Sequence, residues 1–159
     1  MGYIENNLTP NEQVVYKAKV HWFIFVPGII LCLCALAFVR EKQIEAGMEI
    51  EEVIRGGLFL LGLLSLLKAF IAKISTELAV TSKRVIAKSG LIGRKTVELS
   101  HNKVESFNVD QSILGRIFGY GVVTVNGTGG GKTPFSNIAY PLEFRREAME
   151  AIEQSQKQA

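Results

Sequence analysis

Hydrophobic and polar positions divide the chain into a polar start, two apolar runs and a long stretch of alternating residues. Residues 20–39 contain no Lys, Arg, Asp or Glu. As an α-helix that rises about 1.5 Å per residue, this run would be roughly 30 Å long, the thickness of a bilayer's hydrocarbon core. Residues 56–72 form a second apolar run, interrupted only by Lys68. We therefore predict a transmembrane helical hairpin with spans at about 20–39 and 56–72.

Each predicted span has an alternative. The first could be the core helix of a soluble protein, although it lacks the charged face of such a helix. The second is short, and a re-entrant or interfacial helix is its alternative. Trp22, Lys68 and Lys73 are expected at the membrane interface, where Trp is favoured and Lys extends its ammonium group toward water. Residues 1–73 are thus interpreted as an N-terminal segment followed by a two-helix membrane anchor.

The polar start carries a helix signal. Thr9 can cap a helix, Pro10 suits its first position, and Glu12 stands three residues after Thr9 as in a capping box. We predict that a helix begins here and leads toward the first span.

Basic residues near the ends of the spans predict the orientation. Lys17 and Lys19 precede the first span, and Lys68 and Lys73 end the second. The loop between the spans is net acidic, although its three basic residues weaken the contrast. By the positive-inside rule, we expect a multi-pass protein of the cytoplasmic membrane with both termini in the cytoplasm.

Residues 74–153 change to period-two alternation with glycine turns, which is typical of antiparallel strands. Six strands are predicted, at 76–80, 84–88, 95–99, 104–109, 121–126 and 133–138, with a short turn of helix within 110–120. Pro141 begins a last helix, in which Phe144, Ala148 and Ile152 repeat every four residues and form one apolar face. This pattern predicts an α+β fold, a meandering antiparallel sheet or partly open barrel capped by the C-terminal helix. Residues 154–159 are expected to be a polar, frayed tail.

Composition and motifs give little support for catalysis or for a cofactor. The net charge of +3 does not indicate a nucleic-acid binder. Cys32 and Cys34 lie inside the first apolar run and are interpreted as packing residues. His21 is expected at the membrane and His101 lies alone in a turn between predicted strands, while Asp110 and Glu98 have no partner at a recognisable spacing. We predict no catalytic residue, no metal site and no cofactor.

The segment GTGGGKT at residues 127–133 is similar to a phosphate-binding loop, but two features argue against that function. Its spacing is one residue short, and a strand follows where the phosphate-binding loop requires a helix. We interpret it as a glycine hairpin whose Lys132 can contact an anion or a partner.

Basic residues cluster near the first predicted hairpin. Arg84 and Lys88 share one face of a strand, and Arg94 and Lys95 begin the next strand. Apposition to anionic headgroups is worth about 1 kcal/mol per basic residue near the surface. The candidate lipid- or anion-binding residues are Arg84, Lys88, Arg94, Lys95 and Lys132. An ordinary solvated or orienting face is the alternative.

Several short motifs carry a family resemblance. They are Leu8, Glu12, His21 and Trp22; LAVTSKRVI at 78–86; GLI at 90–92; VESF at 104–107; QSILGRIFGYG at 111–121; and Phe135, Ile138, Pro141 and Phe144. By these motifs nearly the whole chain resembles the bacterial pleckstrin-homology-like family of membrane-flanked domains, and residues 111–121 are the most specific part. The resemblance implies a membrane-tethered binding or assembly module with no established chemistry.

The leading expectation is a non-catalytic module that mediates protein–protein association or self-assembly at the cytoplasmic face of a bacterial inner or plasma membrane. Its expected partners are the bilayer and either an unknown protein or a second copy, and no nucleic acid. An exposed sheet edge could accept a strand from such a partner. One alternative is sensing of anionic lipid headgroups by the basic hairpin. Another is an accessory subunit of a membrane transport or export complex.

Overall fold

The computed structural model describes residues 3–40, 49–91, 93 and 95–157. The chain forms two compact units. The first unit contains the residues up to His21 and those from Lys73 onward, and the second contains Trp22–Ala72. The first unit is an α+β domain that is discontinuous in sequence, and the second consists of apolar helical segments.

Seven antiparallel strands in the described part of the first unit form two sheets. Sheet A has the order β1-β2-β3-β4, with β1 at Val14–Ala18, β2 at Glu77–Thr81, β3 at Arg84–Ser89 and β4 at Lys95–Ser100. Sheet B has the order β5-β6-β7, with β5 at Val104–Asp110, β6 at Tyr120–Gly127 and β7 at Lys132–Ala139. The six predicted strands are all present, each within about a residue of its predicted ends, because their alternation reflects burial on one face.

The described helices are α1 (Tyr3–Asn6), α2 (Val26–Arg40), α3 (Glu49–Ser75), α4 (Ile113–Phe118) and α5 (Pro141–Lys157). Helix α5 confirms the predicted C-terminal helix and continues beyond the predicted start of the frayed tail at 154. Ser155 lies within the predicted tail, and its hydroxyl forms hydrogen bonds with His101 Nδ1 and with the carbonyl oxygen of Ile152. Residues 158–159 of the predicted tail lie outside the described residues.

The predicted helix that begins at Thr9 is wrong. Thr9 N donates to Glu12 Oε2 at 2.7 Å, which is one of the two capping-box contacts, but Thr9 Oγ1 donates to the same carboxylate oxygen at 2.7 Å and does not cap Glu12 N. However, Asn11 has a φ of 61°, and Glu12 N donates to Thr9 O at 3.0 Å, which closes a β-turn. The chain leaves this turn as β1, so the N-terminal segment belongs to the sheet domain and not to the apolar unit.

Strand β1 joins the two sheets at one corner. Ala18 lies opposite Leu78 of β2. Immediately after β1, Lys19 O accepts a hydrogen bond from Ala139 N at 2.8 Å, and His21 N donates to Asn137 O at 2.6 Å. The same chain therefore runs along β7. Among the described strands, β4 and β5 are end strands of their sheets, which fits the predicted partly open barrel.

The core lies between the sheets and is closed by α5. Phe144 is fully buried, and its ring centroid lies 5.9 Å from that of Phe107 and 6.0 Å from that of Tyr16. Ala148 and Ile152 are buried on the same helical face, as the spacing predicts. One apolar helix face thus covers the inner side chains of both sheets.

The N-terminal segment covers the outer face of sheet A. Ile4 is fully buried against Ala79 and Ile86. Tyr3 N and Ile4 N donate to the two carboxylate oxygens of Glu77, at 2.9 and 3.3 Å. The outer face of the β2–β3 hairpin is therefore occupied by the chain's own first residues.

In the part of the chain that the structure describes, one helical stretch, Glu52–Ser75, is long and apolar enough to cross a membrane. It contains the predicted second span and extends beyond both of its ends. The predicted first span is not shown as one helix: Trp22–Phe25 form a 3₁₀ turn, and α2 has 15 residues, roughly 22 Å. Pro27 is the second residue of α2, where its missing N–H costs little, so the helix begins beside it.

Glycines allow α2 and α3 to pack closely within the second unit. A Cβ atom on Gly62 would lie 2.6 Å from Cys32 Sγ and 3.0 Å from Cys32 N, and a Cβ on Gly28 would lie 2.8 Å from Leu66. The contacts at Gly62 leave no room for a Cβ atom, whereas at Gly28 a Cβ would require the Leu66 side chain to move. A Cβ on Gly57 of α3 would meet no atom within 4 Å, so not every glycine of this helix is used for packing.

Candidate functional site

Arg84, the first residue of β3, is held by the chain itself. Its Nε and Nη2 atoms donate to the two oxygens of Glu12 at 3.0 and 3.1 Å, and its Nη1 donates to Glu98 Oε2 at 2.7 Å. Its Nη2 also donates to Asn7 O at 2.8 Å. Bidentate pairing fixes the guanidinium plane against the carboxylate. The first cation of the predicted basic hairpin therefore already has an internal anion.

Glu12 is that internal anion, and its side chain is fully buried. It accepts hydrogen bonds from Thr9, from Arg84 and from Thr81 Oγ1, the last at 2.7 Å. Burial raises the pKa of the Glu12 carboxyl, but hydrogen bonds from Arg84, Thr9 and Thr81 outweigh burial and lower the pKa to about 2. The carboxylate thus stays charged and links the N-terminal turn to the β2–β3 hairpin.

The Lys88 side chain takes part in a second set of contacts within the chain. Its Nζ lies 3.9 Å from Glu77 Oε1 and 5.1 Å from the centroid of the Tyr3 ring. Glu77 also lies 3.7 Å from Lys17 Nζ and accepts hydrogen bonds from the first N–H groups of α1. The side chain of Lys88 is 16% exposed, which leaves it little access to a headgroup.

The structure does not bring the described members of the predicted basic set together. Lys95 pairs with Ser89, five residues along β3 from Arg84, which is roughly 17 Å at about 3.3 Å per residue. Lys95 shares its strand face with Val97 and Leu99, which pack on the core, whereas Arg84 and Lys88 face the opposite side of sheet A. Lys132 is exposed at the start of β7 in the other sheet, and Arg94 lies outside the described residues.

A groove lies at the sheet junction where β4 connects to β5. It has a volume of about 340 Å³ and is lined by Val97, Leu99, Lys103, Thr133 and the backbone of the glycine hairpin. Thr128 N donates to Lys103 O at 3.0 Å, which fixes the hairpin beside this connection. The glycine segment 127–131 therefore forms one wall of an apolar groove with a basic rim, and a strand follows it as expected.

The predicted interface residues lie on or next to the apolar unit. Trp22 begins the 3₁₀ turn and is 54% exposed, and Lys68 is exposed on α3. Lys73 is exposed in the last turn of α3. Their membrane contact stays a prediction.

The sequence predicts a short turn of helix within 110–120 but does not indicate that the apolar side chains of α4 are exposed. Ser112 Oγ accepts from Gly115 N at 3.1 Å, Gly119 ends the helix with a φ of 76°, and Gln111 Nε2 donates to Tyr120 O at 3.0 Å. The apolar side chains between these residues are exposed, including Ile113 at 80% and Ile117 at 69%. The signal is present in residues 111–121, where polar and glycine residues alternate with apolar ones at a helical spacing.

The His, Cys, Asp and Glu side chains of the described residues are the candidate ligands of a metal site. Among these residues, no group of three His, Cys, Asp or Glu is placed to hold a metal ion. His101 is buried and its Nδ1 lies 2.7 Å from Ser155 Oγ, which ties the β4–β5 connection to α5.

Comparison with known proteins gives one family. The family model described as a bacterial PH domain matches residues 22–157. No match was found among curated proteins or among solved structures. The matched region includes the apolar unit as well as both sheets except β1.

Proposed function

Because the chain belongs to the bacterial PH domain family, we propose that it is a non-catalytic module that binds an extended segment of another protein along β4 at the cytoplasmic face of a bacterial membrane. Domains of this kind are generally binding modules without catalytic activity. The proposal rests mainly on the edge of β4 beside the groove, which pairs with no second strand among the described residues.

An added strand on β4 would gain main-chain hydrogen bonds from an edge that is paired only with β3 among the described strands. Alternate side chains of that strand would face the groove beside Val97 and Leu99. Lys103 lines the groove, and the exposed Lys132 stands in the chain between two lining residues, Gly131 and Thr133, which favours a segment that carries acidic residues.

Chain connectivity supports an anchor that crosses the membrane twice. Strand β1 precedes the apolar unit and β2 follows it, yet the two strands are hydrogen-bonded neighbours. If α3 crosses a bilayer, the chain between His21 and α3 must cross it too, because a single crossing would separate β1 from β2. The 3₁₀ turn and α2 laid end to end would measure roughly 30 Å. Basic residues near the span ends favour placing both termini in the cytoplasm.

The experiment is site-specific photo-cross-linking of the full-length protein in its native membranes. A photoreactive residue at the exposed Thr96 of β4 is expected to give a protein adduct, whereas the same residue at the exposed Arg145 of α5 is expected to give none. Reversal of both rim charges, Lys103→Glu with Lys132→Glu, should reduce the Thr96 adduct. A reversal at Arg145 serves as the matched control.

The identity of the adduct separates the alternatives. A dimer of this chain would assign β4 to self-assembly, and a lipid adduct would contradict the protein-binding proposal and favour headgroup contact by Lys95 and Arg94. Equal cross-linking at Thr96 and Arg145 would also contradict the proposal that β4 binds a protein segment. A role as an accessory subunit of a transport or export complex stays a prediction, because it depends on the identity of the partner.

A further inference from the structure

We propose that α4 inserts its exposed apolar side chains into the headgroup–acyl boundary of the bilayer and so fixes the orientation of the sheet domain. This inference rests on the membrane anchor of the proposed function. The occupant of this surface is lipid, because the chain leaves the sheet domain for the apolar unit directly beside it.

Both connections to the apolar unit reach the sheet domain at one corner. Where the chain leaves the sheet domain after β1, the His21 ring stacks on Tyr120 with ring centroids 5.6 Å apart, and Ala139 N donates a hydrogen bond to Lys19 O. On the returning side, α3 ends at Ser75 and Leu78 lies opposite Ala18. We call Lys19, His21, Tyr120 and Tyr140 the exit corner. Three extended residues cover roughly 10 Å, so Leu78, opposite the last residue of β1, can lie no farther than that from the end of α3.

Helix α4 adjoins the exit corner directly. Gly119 ends α4 and Tyr120 follows it, while Tyr140 N donates to Gly119 O at 2.8 Å. A Cβ on Gly119 would lie 3.3 Å from the Tyr140 ring, so the aromatic ring packs on the end of the helix. The exposed apolar residues here are Ile113 (80%), Leu114 (51%), Ile117 (69%), Tyr140 (63%) and Leu142 (58%).

This surface is rigid and apolar, which is the combination expected of an interfacial contact. The Ser112 cap, the left-handed Gly119 and the Gln111 amide hold α4 in place. The backbone also approaches closely, since a Cβ on Gly115 would lie 2.5 Å from Tyr120 O. A contiguous exposed apolar patch marks an interaction site, and an interfacial helix buries its apolar face about 5–10 Å into the headgroup boundary.

Charges around the patch are compatible with a phospholipid surface. The exposed basic residues on α4 and in the exit corner are Arg116 and Lys19, and Asp110 and Glu143 are exposed acidic residues next to these elements in the chain. Tyr140 stands beside the helix, as aromatic residues do at the headgroup level. The glycine hairpin, by contrast, lies at the other end of β6, roughly 23 Å from Tyr120 along the strand.

Tryptophan quenching by brominated lipids tests the proposal. The single native tryptophan is first removed by Trp22→Phe, and a new one is introduced by Ile117→Trp or, in a second variant, by Ile113→Trp. The full-length protein is reconstituted into vesicles of phosphatidylethanolamine and phosphatidylglycerol whose acyl chains carry bromine. Emission from both variants is expected to shift to the blue and to be strongly quenched. The matched control, Thr128→Trp on the glycine hairpin, is expected to keep unquenched emission.

Each outcome has a defined meaning. If the unaltered protein floats with the vesicles and its Trp22 is quenched, but residues 113 and 117 are not, the anchor stands and the insertion of α4 is refuted. A blue shift without quenching would show that protein covers the patch, which also refutes it. If the chain does not enter the vesicles at all, the proposed anchor fails, and the lipid contact of α4 fails with it.

Discussion

At the scale of single residues, the buried Glu12–Arg84 pair is the feature that most changes the interpretation of the sequence. The carboxylate has no exposed area, and its partner's side chain is 20% exposed. A buried ion pair adds little net stability, but removing one partner is costly because the other charge is left uncompensated. The pair therefore holds the N-terminal turn against the β2–β3 hairpin.

Replacing Glu12 by Gln is expected to destabilise the sheet domain by about 3–5 kcal/mol, because Arg84 loses its bidentate acceptor. Denaturant unfolding of the detergent-solubilised protein measures this loss. Glu105→Gln is the matched control, since Glu105 is exposed on β5, and its effect should stay within about 0.5 kcal/mol. Equal unfolding midpoints for the two variants would contradict the assignment.

The same carboxylate predicts a pH dependence. The pKa of Glu12 is about 2 in the folded protein against an ordinary 4.5, so the folded state binds fewer protons between these values. Its contribution, on the order of 3 kcal/mol, is complete above pH 4.5 and is lost as the pH falls toward 2. Unfolding titrations of the wild type and of Glu12→Gln should converge across this window, and parallel curves would be the contrary result.

Burial of His101 predicts a second pH dependence of the folding stability, at a milder pH. Burial lowers the pKa of His101 from its ordinary 6.5, so protonation favours the unfolded chain. The contribution of His101 to stability is therefore complete above pH 6.5 and falls as the pH decreases below that value. Thermal unfolding at a pH above this value and at one about a unit below it is expected to show a smaller decrease for His101→Gln than for the wild type. If His101→Gln showed the same decrease in unfolding temperature as the wild type, the pH dependence would have to come from other titratable groups.

At the scale of elements, the sequence predicts what is local and misses what depends on distant contacts. The alternation of β2 to β7 and the apolar face of α5 indicate these elements directly, because each repeats one buried face. Strand β1 escapes prediction because Glu12 does accept from Thr9 N as in a capping box, and the left-handed Asn11 then turns the chain away from a helix. The partner of Arg84 could not be predicted either, since Glu12 lies 72 positions away.

The packing of α2 on α3 predicts a contrast between two glycines of one helix. Gly62→Ala would place a Cβ 2.6 Å from Cys32 Sγ and should destabilise the second unit by about 1–3 kcal/mol. Gly57→Ala meets no atom within 4 Å and should leave stability unchanged or slightly raised. Thermal unfolding in detergent measures both, and equal effects would argue against close helix packing at Gly62.

At the scale of the whole molecule, if the apolar unit is the proposed membrane anchor, the pairing of β1 with β2 requires the residues on either side of that unit to lie on one side of the membrane. In a background with Cys32→Ala and Cys34→Ala, cysteines at Gln13 and Gln156 should both resist a membrane-impermeant maleimide in intact cells. A cysteine at position 48, in the predicted outer loop and outside the described residues, should be labelled. Different labelling of positions 13 and 156 would contradict the common sheet domain.

The discontinuous sheet domain also has a consequence for biosynthesis. Glu12 and its partner Thr81 are separated by 69 positions, and the whole apolar unit is synthesised between them. As the chain emerges from the ribosome N-terminus first, β1 must wait without its neighbour until both helical segments have been made. If the apolar unit is the proposed two-span anchor, the sheet can form only after the chain has crossed the membrane a second time and returned to the side where β1 lies. A chain whose hairpin inserts incorrectly would leave β1 and β2 apart, with exposed strand edges that quality-control proteases can recognise.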